Sequence, residues 1–269
     1  ATVILALMLI LTGHPRSGTE LLFELCSAHP DIELTLESGV FRCLGVPASL
    51  FQLSMLGRSI ARRHETVFRL DQNNRTRWQR LQSHWFMAGI ARDVAGRQKG
   101  LVSADDIGAA LHRAWPHARI VGDKFPDYVF NLGPLVDAPA MKTIVIERDG
   151  RDVVASYLAR LSGGWADLPV FGAWQDAASI AGRWVAAVEA VERQADKLLV
   201  LRYERLVAEP LSELARVAAY LNIDPAGFEG ADRKIDGASV GGYAERLNAT
   251  QQADVMRVAG PTLARLGYL

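Results

Sequence analysis

Gly13-His14-Pro15-Arg16-Ser17-Gly18-Thr19 follows an apolar run, Val3–Leu11, and leads into a helical pattern at Leu21, Leu22 and Leu25. Strand, glycine-bearing loop and helix, in that order, form the context of a phosphate-binding loop. The glycines let the backbone approach an anion closely, the loop N–H groups and the helix N-terminus attract negative charge, and Arg16, Ser17 and Thr19 add donors. Against the nucleotide loop G-x-x-x-x-G-K-[ST], Gly13 and Gly18 match, but Thr19 replaces the lysine and Glu20 the magnesium-binding hydroxyl. A nucleoside triphosphate needs both missing groups, whereas a phosphosulfate carries less charge and needs no metal, so the loop is predicted to hold the latter. Taken alone, the loop is also compatible with a bare Gly/Pro turn.

Working outward, further short runs of branched apolar residues predict buried parallel strands at Ile32–Leu36, Thr143–Ile146 and Leu198–Leu201, with another at Arg119–Val121. Between them lie helical patterns, the clearest being Ala177, Ile180, Trp184, Val188 and Val191, which share one face. The expected fold is α/β, a P-loop-type doubly wound sheet of mainly parallel strands flanked by helices. Residues 1–269 read as one domain, with a helical insertion at about 48–100 that carries Phe51, Phe68, Trp78, Trp85 and Phe86 among many arginines. Such an insertion can form one wall of an acceptor pocket or simply cover the sheet.

A second anion site is expected after the strand Thr143–Ile146, in Glu147-Arg148-Asp149-Gly150-Arg151-Asp152 and the helix that follows. Arg148 at the strand end and Ser156 one to two turns into the helix can converge on a phosphate, with Arg160 a turn further on. The same residues can also be a charged turn in which both arginines are solvated. Asp149 and Asp152 would then favour the helix N-terminus by about 0.3–1 kcal/mol each. Two anion loops, each after a sheet strand, match a nucleotide with phosphates on both its 5′ and 3′ positions.

Thirty basic and thirty acidic side chains cancel, so no global field favours nucleic acid or an anionic membrane. The two cysteines, Cys26 and Cys43, have neither disulfide-framework nor metal-ligand spacing, and a reducing, cytoplasmic setting is expected. Val3–Leu11 is about half the length of a membrane span and lacks the flanks of a signal peptide, so neither a span nor a leader is predicted.

PRSGT at 15–19, RDGRDVVASY at 148–157 and LRYERLVAEP at 201–210, leading into Leu214–Leu221, together resemble the sulfotransferase family dependent on 3′-phosphoadenosine 5′-phosphosulfate (PAPS). The match spans most of the chain. Within it, AHPDI at 28–32, LES at 36–38 and GDKFP at 122–126 are similar to the branch containing bacterial sulfotransferases and related to tyrosylprotein sulfotransferases. The resemblance implies in-line transfer of a sulfuryl group from PAPS to an acceptor hydroxyl, with release of 3′-phosphoadenosine 5′-phosphate (PAP) and no metal. Arg16, Ser17, Gly18 and Thr19 would hold the 5′-phosphosulfate, and Arg148 and Ser156 the 3′-phosphate. Tyr203 would lie near the nucleotide, and Ser239, Gly241 and Gly242 would close over it, Tyr243 standing where the family often has tryptophan. Glu37 resembles the catalytic base of tyrosylprotein sulfotransferases, and Lys124 the lysine on the bridging oxygen, with Phe125 in place of the usual threonine; Arg16 would share that electrostatic work.

Soluble sulfotransferases use a histidine base, which leaves His84, His112 and His117 as candidates, while His14 and His29 are expected to shape their turns. Two other functions stay open: a P-loop-like phosphotransferase, for which Mg²⁺-dependent ATP turnover would be diagnostic, and a non-catalytic PAPS- or PAP-binding protein. The acceptor carries no readable signature. Residues 48–100 and the Leu161–Trp174 loop are expected to shape its pocket, and Trp165 and Trp174 suit a sugar face or an aromatic ring. Small molecules, carbohydrates, lipids and peptides all remain possible acceptors.

Overall fold

Strands rich in branched apolar residues on both sides are stable only when helices cover both faces of their sheet. In the computed structural model, which describes residues 7–61, 77–97, 100–167, 172–231, 235 and 239–269 (backbone alone for 56–61, 77–84 and 165), five strands meet this condition. They are β1 (Leu7–Thr12), β2 (Ile32–Leu36), β3 (Ile120–Lys124), β4 (Met141–Glu147) and β5 (Leu199–Arg202), all parallel, in the order β2-β3-β1-β4-β5. The expected α/β fold is therefore present. Of the run Val3–Leu11, the first four residues lie outside the described ones, and the strand continues one residue further, to Thr12.

The helices, in chain order, are α1 (Thr19–Cys26), α2 (Ala48–Ala61), α3 (Arg77–Arg97), α4 (Ala104–Ala114), α5 (Gly133–Val136), α6 (Gly150–Ser162), α7 (Ala177–Glu192), α8 (Tyr203–Ala208), α9 (Pro210–Leu221), α10 (Tyr243–Arg246) and α11 (Ala249–Arg265). Alternation along β1 divides the core in two. Met8 and Ile10 face a cluster with Phe51, Ile90, Val94, Ile107 and Leu111 from α2–α4, while Leu9 and Leu11 face one with Leu22, Leu25, Leu206 and Val217 from α1, α8 and α9. The stripe expected on α7 is buried throughout and packs largely against α6 and α11. Among residues 48–100, Phe68 lies outside the described residues and Trp78 has no described side chain; Phe51 is fully buried, Phe86 packs on Trp115 at 4.7 Å, and Trp85 is exposed.

One boundary differs instructively. Gly122-Asp123-Lys124 reads as the turn after a strand, yet it is strand, paired with β1 on one side and β2 on the other. Central position in the sheet overrides the poor strand propensity of these three residues. As a result Lys124 sits at the end of a rigid element.

At the end of β4, beside Arg202 of β5, burial pushes the Glu147 carboxyl up to about 7, with Glu192 and Glu204 adding to the rise and Arg202 opposing it. A carboxyl whose native pKa exceeds its unfolded value contributes stability at low pH and loses it as pH rises through about 7. Glu147→Gln is therefore expected to gain stability relative to wild type on going from pH 5 to pH 8, by on the order of 1–3 kcal/mol. Urea melts of both proteins at the two pH values check this; a difference independent of pH would contradict it.

Candidate active site

The turn after β1 holds its backbone ready for an anion. Ser17 donates its N–H to the His14 carbonyl at 3.0 Å, and Arg16 (φ 76°) and Gly18 (φ 98°) both adopt left-handed conformations. A Cβ on Gly18 would lie 2.4 Å from the Tyr203 ring, so only glycine lets the ring pack against the loop. Gly18 caps α1 without a side-chain hydrogen bond. The Ser17 hydroxyl is buried and has no hydrogen-bond partner among the described residues, an unmet donor that a bound oxyanion would satisfy. His14 is buried, its Nδ1 donates to the Pro15 carbonyl at 2.7 Å, and burial, then Arg183, lowers its pKa to about 3. It stays neutral and shapes the turn, as expected.

The second loop meets the first directly. Arg16 Nε donates to Ser156 Oγ at 3.1 Å, and Arg148 Nη1 donates to the Arg16 carbonyl at 3.4 Å. The Arg148 guanidinium lies 4.4 Å from the centre of the Tyr203 ring, and its Nη2 donates to the Ser239 carbonyl. Its Nε is buried without a partner among the described residues. The Tyr203 hydroxyl is bonded to Ser239 Oγ at 2.8 Å. Burial, then Arg160, holds the Arg16 pKa below its ordinary value, Arg148 adding to this while Glu20 and Glu37 oppose it. Such crowding of cations in a partly dry place is the electrostatic signature of an anion site.

The solvated-turn alternative for this loop is overturned, since Arg148 is 5% exposed. Arg151 is bound by the Asp149 carboxylate at 2.6 Å and by the Tyr268 carbonyl at 2.7 Å. Asp149 caps α6 through the Arg151 N–H, whereas Asp152 does more than favour a helix end. Its carboxylate accepts the N–H groups of Gly241 (2.8 Å) and Tyr243 (2.9 Å), fixing the segment that carries Ser239 and Gly242.

At the ends of β2 and β3 the two candidates for the chemistry touch. Lys124 Nζ donates to Glu37 Oε1 at 2.7 Å; the lysine side chain is 3% exposed and the glutamate's 26%. Glu37 has φ 58°, rare for a residue with a Cβ, and its N–H donates to the Lys124 carbonyl at 2.6 Å. The partner of Lys124 is thus Glu37 and not Asp123, the surface pairing that adjacency suggests. Successive strand residues point to opposite faces, and Asp123 is fully buried, accepting hydrogen bonds from Thr35 (2.6 Å), Tyr128 (2.6 Å), Ser38 N–H (3.1 Å) and Gly39 N–H (2.9 Å). It thereby holds the turn that presents Glu37. Burial raises its carboxyl pKa, while those hydrogen bonds oppose the rise.

A model of the sulfotransferase family matches residues 9–226. The chain belongs to the sulfotransferase family. Its recognition from sequence as a PAPS-dependent enzyme of that family stands. Among solved structures the fold resembles the sulfotransferase domain of the Synechococcus PCC 7002 olefin synthase, at 19% identity over 95% of this chain and 94% of that one, with a TM-score of 0.58. It also resembles sulfotransferase STF9 of Mycobacterium avium (14% identity, 97% and 77% covered, TM-score 0.56) and the sulfotransferase domain of the curacin biosynthetic pathway (14%, 96% and 97%, 0.56). No curated protein sequence matches significantly.

In this sulfotransferase the candidate histidines stand elsewhere. His117 is bonded to Glu33 at 3.0 Å beside the start of β2, and His112 lies near Leu7 at the start of β1, both at the end of the sheet opposite Glu37; the side chain of His84 lies outside the described residues. Phe125 is buried against Tyr128, ring centres 5.2 Å apart. Among the described residues no three His, Cys, Asp or Glu side chains gather as a metal site, and no helix is long and apolar enough to cross a membrane.

Next to the ends of β2 and β3 that carry Glu37 and Lys124 lies a cavity of about 610 Å³. Its described lining comes from residues 40–44, from the turn Pro126–Asn131, from α5, from Trp174 and from α7; none of the described side chains of α2 and α3 is part of it. Of the Leu161–Trp174 loop, Trp174 reaches the cavity, while the Trp165 side chain and residues 168–171 lie outside the described ones.

Proposed function

We propose that Arg16, Ser17, Gly18 and Thr19 bind the 5′-phosphosulfate of PAPS, that Arg148 and Ser156 select its 3′-phosphate, and that Tyr203, Ser239 and Gly242 close the nucleotide site. PAPS supplies an electrophilic sulfur and a leaving PAP. Glu37 takes the acceptor hydroxyl's proton as the new oxygen–sulfur bond forms and the sulfur–oxygen bond to PAP breaks. Lys124 and Arg16 stabilise the negative charge that develops on the departing oxygen. Metal plays no part in this mechanism, and the acceptor is a hydroxyl compound. With two free, buried cysteines, we place the enzyme in the cytoplasm.

The observation that carries the reading is the 2.7 Å contact between Glu37 and Lys124 at the same end of the sheet as the two anion loops. It supports proton abstraction and leaving-group stabilisation within one small site. Proton transfer to Glu37 would weaken its hold on Lys124 Nζ and free that donor for the leaving oxygen.

Calorimetry without magnesium tests the donor assignment. PAP is expected to bind at least 10-fold more tightly than 5′-AMP, about 1.4 kcal/mol, and more tightly than ATP. Equal or better ATP binding would revive the phosphotransferase. PAP binding without any sulfated product across an acceptor screen would favour a binding protein.

A further inference from the structure

The cavity beside Glu37 and Lys124 has an uneven wall. Phe41, Tyr128, Phe130 and Trp174 make it aromatic, and Arg183 enters it from α7. The Arg183 guanidinium is stacked between Trp174 at 4.1 Å and Phe130 at 4.7 Å, and its side chain is 7% exposed. Nη2 donates to Asp127 at 2.7 Å, but Nη1 is buried with no hydrogen-bond partner among the described residues. A buried charged donor left unpaired is costly, so a site holding one is built for an acceptor oxygen. Among the described lining residues Asp127 is the single carboxylate, against two arginines, Arg183 and the exposed Arg42, so that these residues are net positive.

The cavity also adjoins both parts of the machinery. Phe41 follows Glu37 by one turn of chain, its N–H donates to the Tyr128 hydroxyl at 3.0 Å, and that hydroxyl donates to Asp123. Phe130 packs edge-on against His14 of the first anion loop, ring centres 6.4 Å apart.

We infer that the acceptor is a hydroxylated ring acid: its rings lie against Phe41, Phe130 and Trp174, its carboxylate takes the Nη1 edge of Arg183, and its hydroxyl points to Glu37. One free guanidinium edge and a single unit of excess charge suit a carboxylate better than a dianionic phosphate. The volume suits an acceptor of about two to four rings. The inference rests on the PAPS-dependent reading of the neighbouring site.

Three probes of increasing size, 3-(4-hydroxyphenyl)propanoic acid, 6-hydroxy-2-naphthoic acid and a 3-hydroxysteroid carboxylic acid, would each be compared with its primary amide. Binding to the PAP complex and sulfation with saturating PAPS are both read. At least one acid is expected to surpass its amide 10-fold or more in affinity and in kcat/KM. Arg183→Gln should erase that preference, whereas Asp127→Asn, which removes the competing carboxylate, should enlarge it; PAP affinity should stay within about threefold in both. Opposite responses of the two variants cannot come from misfolding. Acid and amide bound alike throughout the set, or a preference that survives in Arg183→Gln, overturns the inference while leaving the nucleotide site intact. Failure of wild type to bind PAP overturns the donor assignment and this inference together.

Discussion

Glu37→Gln is expected to lower kcat by about 10²- to 10⁴-fold, the range for loss of a positioned general base, while PAP affinity changes less than threefold. The amide keeps the length of the side chain and its carbonyl can still accept the Lys124 hydrogen bond, so the 2.7 Å contact has a substitute and the site keeps its shape. Basicity is what disappears. Single-turnover kinetics with saturating PAPS isolate the chemical step. Activity within 10-fold of wild type would return the role of base to a histidine, and His84, whose side chain is not described, would be the next to replace.

Arg148→Ala is expected to weaken PAP by roughly 30- to 150-fold, the loss of a charged hydrogen-bonding group worth about 2–3 kcal/mol. Affinity for 5′-AMP, which lacks the 3′-phosphate, should fall by less than fivefold. Some loss of stability accompanies the change, because the guanidinium stacks on Tyr203 and binds the carbonyls of Arg16 and Ser239. The difference between the two nucleotides removes that contribution, since a disordered site would weaken both. Equal weakening of PAP and AMP would show that Arg148 organises the loop without meeting the phosphate.

Much of this was legible along the chain because local chemistry and tertiary position agree. Ile32–Leu36 is a strand with the bounds expected of it, and the stripe Ala177, Ile180, Trp184, Val188 and Val191 is buried on α7. The two loops proposed to hold anions stand out because glycines and donors stand together in sequence, and the structure brings Arg16, Arg148 and Ser156 together. What stayed hidden depends on partners far away. Gly122-Asp123-Lys124 has the composition of a turn, and its strand character comes from neighbours on both sides. Asp123 invited pairing with Lys124, yet pleating sends them to opposite faces. Asp152 carries no mark of its grip on Gly241 and Tyr243, about ninety residues away. Arg183 sits beside Trp184 in an apolar helix, and only Phe130, Trp174 and Asp127 around it reveal its setting.

The strand order carries a consequence for how the enzyme comes into being. β3 lies between β2 and β1 in the sheet, although β1 and β2 are made first and some eighty residues separate β2 from β3. A chain emerging from the ribosome can therefore form the turn of the first anion loop while Lys124 does not yet exist. The pair Glu37–Lys124, 87 residues apart, arises only when β3 inserts between its neighbours, a long-range closure of the kind that slows folding. With the roles proposed for Glu37 and Lys124, catalytic competence is acquired only once β3 is in place, and a nascent chain that lacks it has no means of transferring a sulfuryl group to whatever hydroxyl it meets.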